Sequence, residues 1–272
     1  MKPRLGVLAG GGRLPAAVVD AARAQGRDVF VLAFEGQTDP AWLAGVEHAW
    51  VRLGQFADAF ARLRAAGVGE VCLIGPVRRP SLAELRPDWR AAQALARIGV
   101  RAFGDDGLLS AVVREIEGEG FRVVGAEEVL GALAARAGAY GRVAPSEQDR
   151  QDIARGVEVL RALGAVDVGQ AVVVERGVVL GIEAIEGTDA LVARCGALRR
   201  ETSGGVLVKI AKPAQERRVD LPTIGVRTVE AVADAGLAGI AVEAGRALVA
   251  DARAVAAAAD ARGVFVLGVA AT

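Results

Sequence analysis

Histidine is almost missing from this chain of 272 residues. His48 stands alone, which excludes the multi-histidine ligand shells of zinc and di-iron catalysis. It lies next to Trp50 in an apolar stretch and reads as a core or surface residue, not a catalytic base. Cysteine occurs only at Cys72 and Cys195, each in or beside apolar sequence. That usage fits reduced thiols in the cytoplasm and not a disulfide-built secreted scaffold. There is no Gly-x-Ser-x-Gly elbow, so serine hydrolase chemistry has no motif to rest on. No charge-free apolar run reaches the roughly 18 residues of a membrane-spanning helix. The apolar run after Lys2-Pro3-Arg4 is too short for a signal peptide. An excess of one charge is missing too, because 33 basic residues meet 33 acidic ones for a net charge of zero. Without a long basic run, the electrostatic footprint of a nucleic-acid partner is excluded. Aromatics make up only 4% against 53% hydrophobic residues, chiefly Ala and Val. The core is therefore expected to be built from small side chains on closely packed elements.

What is present is an alternation of apolar strands and helical patterns. Residues 4–9 form a short apolar strand, Gly10-Gly11-Gly12 a turn, and Pro15 opens a helix running to about Ala24. Strands at 28–33, 70–74 and 121–124 alternate with helices at 55–66, 89–98 and 106–117. That order calls for parallel pairing with crossovers. Past an Ala- and Gly-rich stretch, Ser146 is placed to cap a helix over 147–163. Segments 171–175 and 178–185 flank Arg176-Gly177 as a hairpin. A strand over 206–211, a helix over 222–234, a second hairpin from 239–242 and 247–250, a helix over 252–261 and a strand over 264–267 complete the pattern. The reading is an α/β protein with a Rossmann-like N-terminal domain over 1–135. A mixed α/β C-terminal domain follows over 136–272.

Three groups of residues carry chemistry. Gly10, Gly11 and Gly12 suit backbone contact with a phosphate at a helix N-terminus. Pro15 stands where a dinucleotide fingerprint needs its third glycine, which disfavours NAD. Arg78 and Arg79 follow the strand at 70–74 and emerge at the carboxyl end of the sheet, where open parallel sheets bind ligands. Asp105-Asp106 reads as a helix start. Glu183, Glu186 and Asp189 with Thr188 place three carboxylates and a hydroxyl within seven residues. Glu186 and Asp189 would suffice for Mg²⁺, which is satisfied by one or two carboxylates plus water or phosphate oxygens. The stretch from Lys209 to Gly225 adds Lys212, Gln215, Arg217, Arg218, Asp220 and Thr223. Its cations suit phosphate charge, and its carboxylate suits a metal or a water proton.

Seven motifs in order, Gly10-Gly-Gly-Arg-Leu-Pro15, Gly75-Pro-Val-Arg-Arg-Pro80, Asp105-Asp-Gly-Leu-Leu109, Glu119-Gly-Phe121, Asp167-Val-Gly-Gln170, Ile182-Glu-Ala-Ile-Glu-Gly-Thr-Asp189 and Val219-Asp-Leu-Pro-Thr-Ile-Gly225, together resemble the LpxI-type UDP-2,3-diacylglucosamine pyrophosphatases. The resemblance spans nearly the whole chain. It implies magnesium-dependent hydrolysis of UDP-2,3-diacylglucosamine to 2,3-diacylglucosamine 1-phosphate and UMP in lipid A biosynthesis. It also implies two domains, a homodimer, and a catalytic aspartate at Asp220.

The expected site has Asp220, Lys212 and Arg218 as catalytic residues. Gly10, Gly11, Gly12, Arg78, Arg79, Thr188, Gln215 and Thr223 bind substrate. Asp220, Asp189 and Glu186 hold Mg²⁺, for which Mn²⁺ is a substitute. The expected location is the cytoplasm, with peripheral contact at the inner face of the inner membrane where a diacylated substrate resides. Two alternatives stay open. A nucleotide-sugar transferase would share the glycine loop and the cation, and a non-catalytic nucleotide-binding protein would not need the carboxylates.

Overall fold

The run Leu-Gly-Val-Leu-Ala after Arg4 is buried from end to end, as expected of a parallel strand covered on both faces. A computed structural model describes residues 2–78, 87–98, 105–131, 134–200, 204–212, 216 and 218–270, and all their side chains except those of 94–98, 105 and 106. The chain divides into two compact units. The first comprises Met1–Gly131 with Glu216–Asp220, and the second Ala132–Gln215 with Leu221–Thr272. The protein is α/β throughout.

In the first unit, β1 (Arg4–Ala9), β2 (Val29–Phe34), β3 (His48–Val51), β4 (Val68–Ile74) and β5 (Arg122–Val123) form one sheet in the order β3-β2-β1-β4-β5. All four neighbouring pairs are parallel. The helices are α1 (Leu14–Ala24), α2 (Phe56–Ala65), α3 (Trp89–Ile98), α4 (Asp105–Gly118) and α5 (Ala126–Leu130). This is the Rossmann-like arrangement that the strand–helix alternation predicts, with β3 and α5 added to it. His48 opens the edge strand β3 and is exposed. One face of the sheet packs Leu8, Phe30, Leu32 and Val71 with Phe60 and Leu63 of α2 and Val113 and Ile116 of α4. Val219, from the late segment 216–220, packs against this same core.

In the second unit, Ser146 caps α6 (Glu147–Gly164) through a reciprocal bond pair. The Asp149 N–H donates to Ser146 Oγ at 3.2 Å, and the Ser146 N–H donates to Asp149 Oδ2 at 2.8 Å. The six-stranded sheet has the order β6-β13-β11-β9-β7-β8, built from β6 (Gly138–Ala139), β7 (Ala171–Glu175), β8 (Val178–Ile182), β9 (Val206–Lys209), β11 (Gly239–Glu243) and β13 (Phe265–Val269). Strands β9, β11 and β13 run parallel, whereas β6, β7 and β8 join antiparallel. On one face, Leu191, Val229 and Val255 from α7 (Gly187–Leu198), α8 (Val226–Asp234) and α9 (Ala252–Arg262) pack on Val173, Leu207 and Ile240. On the other, Ile153 and Leu160 of α6 pack on Val172, Val208 and Phe265. Gly156 lets α6 come close, since a Cβ there would lie 2.6 Å from Val208.

The β7–β8 hairpin turns at Arg176 (φ 48) and Gly177 (φ 77). Its two N–H groups donate to the buried Asp152 carboxylate at 2.9 and 2.7 Å, which holds a non-glycine residue in the left-handed region.

Three expectations need correction. The expected second hairpin does not form: β11 pairs with β9 and β13, while β12 (Leu248–Val249) pairs in parallel with β10 (Thr223–Ile224). Ala244-Gly245-Arg246 is therefore a connection between sheets, not a turn within one. The helix expected from Pro222 starts only at Val226, because Thr223 and Ile224 are taken by that parallel pair and Gly225 is the N-cap. Strand β8 stops at Ile182, short of the expected Ile185: the Glu183 N–H makes one more bond across, to the Ala171 carbonyl at 2.8 Å, and the chain then enters α7.

Candidate active site

In the first unit, the loops after β1, β2 and β4 meet at the carboxyl end of the sheet. The Gly10 N–H donates to the Ile74 carbonyl and the Gly11 N–H to the Pro76 carbonyl, both at 2.8 Å. A Cβ on Gly10 would lie 2.4 Å from the Gly75 carbonyl oxygen. These loop-to-loop bonds and close approaches hold Gly10 and Gly11, while Gly12 (φ 74) turns the chain into α1. Gln37 joins the cluster by accepting from the Arg78 N–H at 2.8 Å, and the Arg78 side chain is exposed. Arg79, Gln215 and Arg217 lie outside the described residues, as do the side chains of Asp105 and Asp106.

Arg218 and Val219 lie in a turn, and the Val219 and Asp220 N–H groups both donate to the Glu216 carbonyl at 3.1 Å. Arg218 grips Glu216 through two bonds of 2.9 Å and reaches Glu117 of α4 at 2.5 Å. The guanidinium beside Glu216 holds that carboxyl below the usual range, and the two carboxylates in turn raise Arg218. Arg218 thus serves as a brace for the turn. Asp220 follows it, half-buried.

In the second unit, buried lysines gather where β9 ends. Lys209 donates through Nζ to Thr188 Oγ1 at 2.8 Å, and Thr188 donates to Glu183 at 2.5 Å. Lys212 Nζ lies 2.5 Å from Asp167 Oδ1. Lys209, Lys212, Glu183 and Glu243 are all at most 7% exposed. Buried charge is costly unless it is compensated: Lys212 is paired with Asp167 and Glu243 with Arg246, while Lys209 and Glu183 share the Thr188 hydroxyl.

Glu186 and Asp189 sit apart from that buried group. Glu186 pairs with Arg194 at 2.9 Å, and its own backbone N–H together with Arg194 holds its carboxyl below the usual range. Asp189 pairs with Arg227 at 3.0 Å, both side chains exposed. Thr223 donates to the Leu221 carbonyl at 3.1 Å. Among the described residues no three His, Cys, Asp or Glu side chains gather at a single metal-sized point.

Sequence reasoning passed over Asp167 as a partner of Lys212, and it missed Glu243 and Arg246. Glu243 had a visible signal, because it is an acid ending the apolar strand run Gly-Ile-Ala-Val.

Comparison with known proteins agrees with this two-unit arrangement. The LpxI N-terminal domain model matches residues 4–133 and the LpxI C-terminal domain model residues 136–267. A curated relative from Caulobacter vibrioides, named UDP-2,3-diacylglucosamine pyrophosphatase LpxI, is 46% identical over 273 residues, covering 98% of this chain and 97% of that one. A solved N5-carboxyaminoimidazole synthase from Aspergillus clavatus, in complex with ADP and an aminoimidazole ribonucleotide, is 14% identical. This chain covers 44% of its length with 73% of its own, at a TM-score of 0.24, too low to establish a shared fold.

Proposed function

The chain belongs to the LpxI family, and from that we propose that it hydrolyses the pyrophosphate bond of UDP-2,3-diacylglucosamine to 2,3-diacylglucosamine 1-phosphate and UMP in lipid A biosynthesis. The observation that carries this reading is near-full-length identity to a relative named for that activity. In this reading the chain is a hydrolase acting on a phosphoric anhydride.

Asp220 is the proposed catalytic carboxylate. It is half-buried, and the Arg218 brace and the packing of Val219 fix the turn that presents it. Lys212 is the proposed cation facing the charge that gathers on the reacting phosphate, a task suited to a buried ammonium in a low-dielectric setting. Mg²⁺ is the proposed cofactor, replaceable by Mn²⁺. Carboxylate oxygens are the donors such a hard ion takes, and it keeps water and phosphate oxygens in most positions, so a three-residue cluster is not required. Asp220 would hold it or orient the water, and Asp189 and Glu186 offer the same donor type in the second unit. When bound, the ion neutralises pyrophosphate charge and makes a coordinated water more acidic.

The diacylated substrate places the encounter at the inner face of the inner membrane, reached from the cytoplasm by peripheral contact. Among the described residues no helix is long and apolar enough to cross a membrane. A homodimer is the assembly that family resemblance implies.

The test is incubation of the purified chain with UDP-2,3-diacylglucosamine, with Mg²⁺ or with excess chelator, followed by product identification. UMP and the lipid monophosphate should appear only with the metal. A requirement for an acceptor molecule would identify a transferase instead. Tight uridine-nucleotide binding without turnover would identify a binding protein.

A further inference from the structure

Lys212 is held from two sides, and only one of them involves its ammonium. Asp167 takes Nζ. The backbone that carries Lys212 is held separately. Strand β9 leaves its ladder with β11 at the Lys209–Val242 pair, so the Ala211 N–H has no strand to bond to. The Glu243 carboxylate takes that place, accepting from the Ala211 N–H through Oε2 at 2.9 Å. Its other oxygen lies 3.3 Å from Arg246 Nη1, and Arg246 Nη2 reaches the Lys212 carbonyl at 3.4 Å. One carboxylate and one guanidinium therefore bridge the Ala211 N–H and the Lys212 carbonyl, the two groups on either side of the Ala211–Lys212 peptide. Glu243 is only 4% exposed.

Holding a peptide for fold alone does not call for this arrangement. A buried ionic pair is often no more stabilising than apolar packing of the same volume. Such a pair fixes direction, because two groups with set geometry hold the Ala211 N–H and the Lys212 carbonyl at once. Residue 213 is a proline, so no further N–H follows to extend the ladder.

We infer that Glu243 and Arg246 are positioning residues for the hydrolytic reaction, acting through Lys212 by holding the main chain on both sides of the Ala211–Lys212 peptide. The inference rests on the role given to Lys212 in the proposed function. Neither residue is required to touch substrate.

The test is a double-mutant cycle on UDP-2,3-diacylglucosamine hydrolysis, with amide hydrogen exchange at Ala211 as a readout independent of turnover. Glu243→Ala should lower kcat about 10- to 100-fold with KM changed less than about threefold, the pattern of a misplaced transition-state group. Glu243→Gln keeps an oxygen for the Ala211 N–H and should recover to within about threefold of the parent kcat. Combined with Lys212→Ala, Glu243→Ala should add nothing. Exchange protection at Ala211 should fall in Glu243→Ala and persist in Glu243→Gln.

Additive losses in the double variant would overturn the inference, as would a kcat for Glu243→Ala equal to that of the parent. If Glu243→Ala does not fold, Arg246→Ala replaces it in the cycle with the same kcat and additivity criteria, and protection at Ala211 should then persist, since that variant leaves the bond to Ala211 in place. A parent chain that does not hydrolyse the substrate would overturn the reaction reading itself, and the positioning role with it. That result is distinct from a hydrolysing parent with additive variants.

Discussion

The Lys212 ammonium lies 2.5 Å from Oδ1 of Asp167, a non-glycine residue whose backbone sits in the left-handed region at φ 59. Asp and Asn accept that conformation more readily than other side chains, but it still carries a cost. A residue held there opposite a buried lysine restricts where the ammonium can go. Lys212→Ala is expected to lower kcat for UDP-2,3-diacylglucosamine about 100-fold or more, the usual scale for removing a preorganised charge. Asp167→Asn preserves the backbone preference and should cost about tenfold, less than Lys212→Ala. Steady-state kinetics on the two variants checks the order.

Asp152 is buried and accepts from the Arg176 and Gly177 N–H groups and from Gln148. Asp152→Ala leaves two turn amides without their acceptor and should lower unfolding free energy by about 3 kcal/mol. Asp152→Asn keeps one carbonyl oxygen and should lose less. Urea denaturation of both variants measures the difference.

Gly10 is where two loops cross. Gly10→Ala puts a methyl group against the Gly75 and Pro76 carbonyls at 2.4 and 2.7 Å, contacts with backbone that no rotamer change relieves. A loss of about 2 kcal/mol or more is expected, with disturbance concentrated at the carboxyl end of the first sheet. Gly26→Ala is the comparison: it lies in open space but at φ 70, so it carries the backbone cost without the clash. Melting curves for the pair separate the two contributions.

Glu216 is held below its usual value near 4.5 by Arg218. A carboxyl depressed in the folded state stabilises above its unfolded value, and that contribution is lost as pH falls through the folded one. The 216–220 turn should therefore loosen as pH drops below about 4.5, and the effect should be absent in Glu216→Gln. Exchange rates of the Val219 and Asp220 amides across that range provide the measurement.

Both thiols are buried, and burial raises them, Cys72 to about 12 with Glu127 adding to the shift. Thiolate is the reactive form. Neither cysteine of the native chain should react with a maleimide or an aromatic disulfide reagent at pH 8 within minutes, whereas both should react in guanidinium. A stoichiometric native reaction would contradict the burial.

Much of the fold was legible because local patterns and tertiary structure agree. The buried run at β1, the capping Ser146 and the Arg176-Gly177 turn each predicted their elements. Disagreement arose where partners lie far away in sequence. Leu248 and Val249 follow β11 closely, yet they pair with Thr223 and Ile224, and no turn signal records that choice. Helix α7 was hidden because Ala193, Gly196 and Ala197 dilute the apolar stripe of Leu191, Val192 and Cys195. At the site, the sequence showed which charges exist but not how they pair. Lys212 and Arg218 looked alike there, whereas Arg218 is matched to Glu117 and Glu216 and Lys212 to Asp167.

The first unit is not one continuous piece of chain. Its apolar interior is completed by Val219, which returns after the polypeptide has built most of the other unit. A fragment ending near residue 131 would therefore lack the side chain that covers part of that interior, and a synthetic peptide spanning 216–220 would have a ready seat there. The two halves of this enzyme cannot be separated by a single scission without one of them losing part of itself.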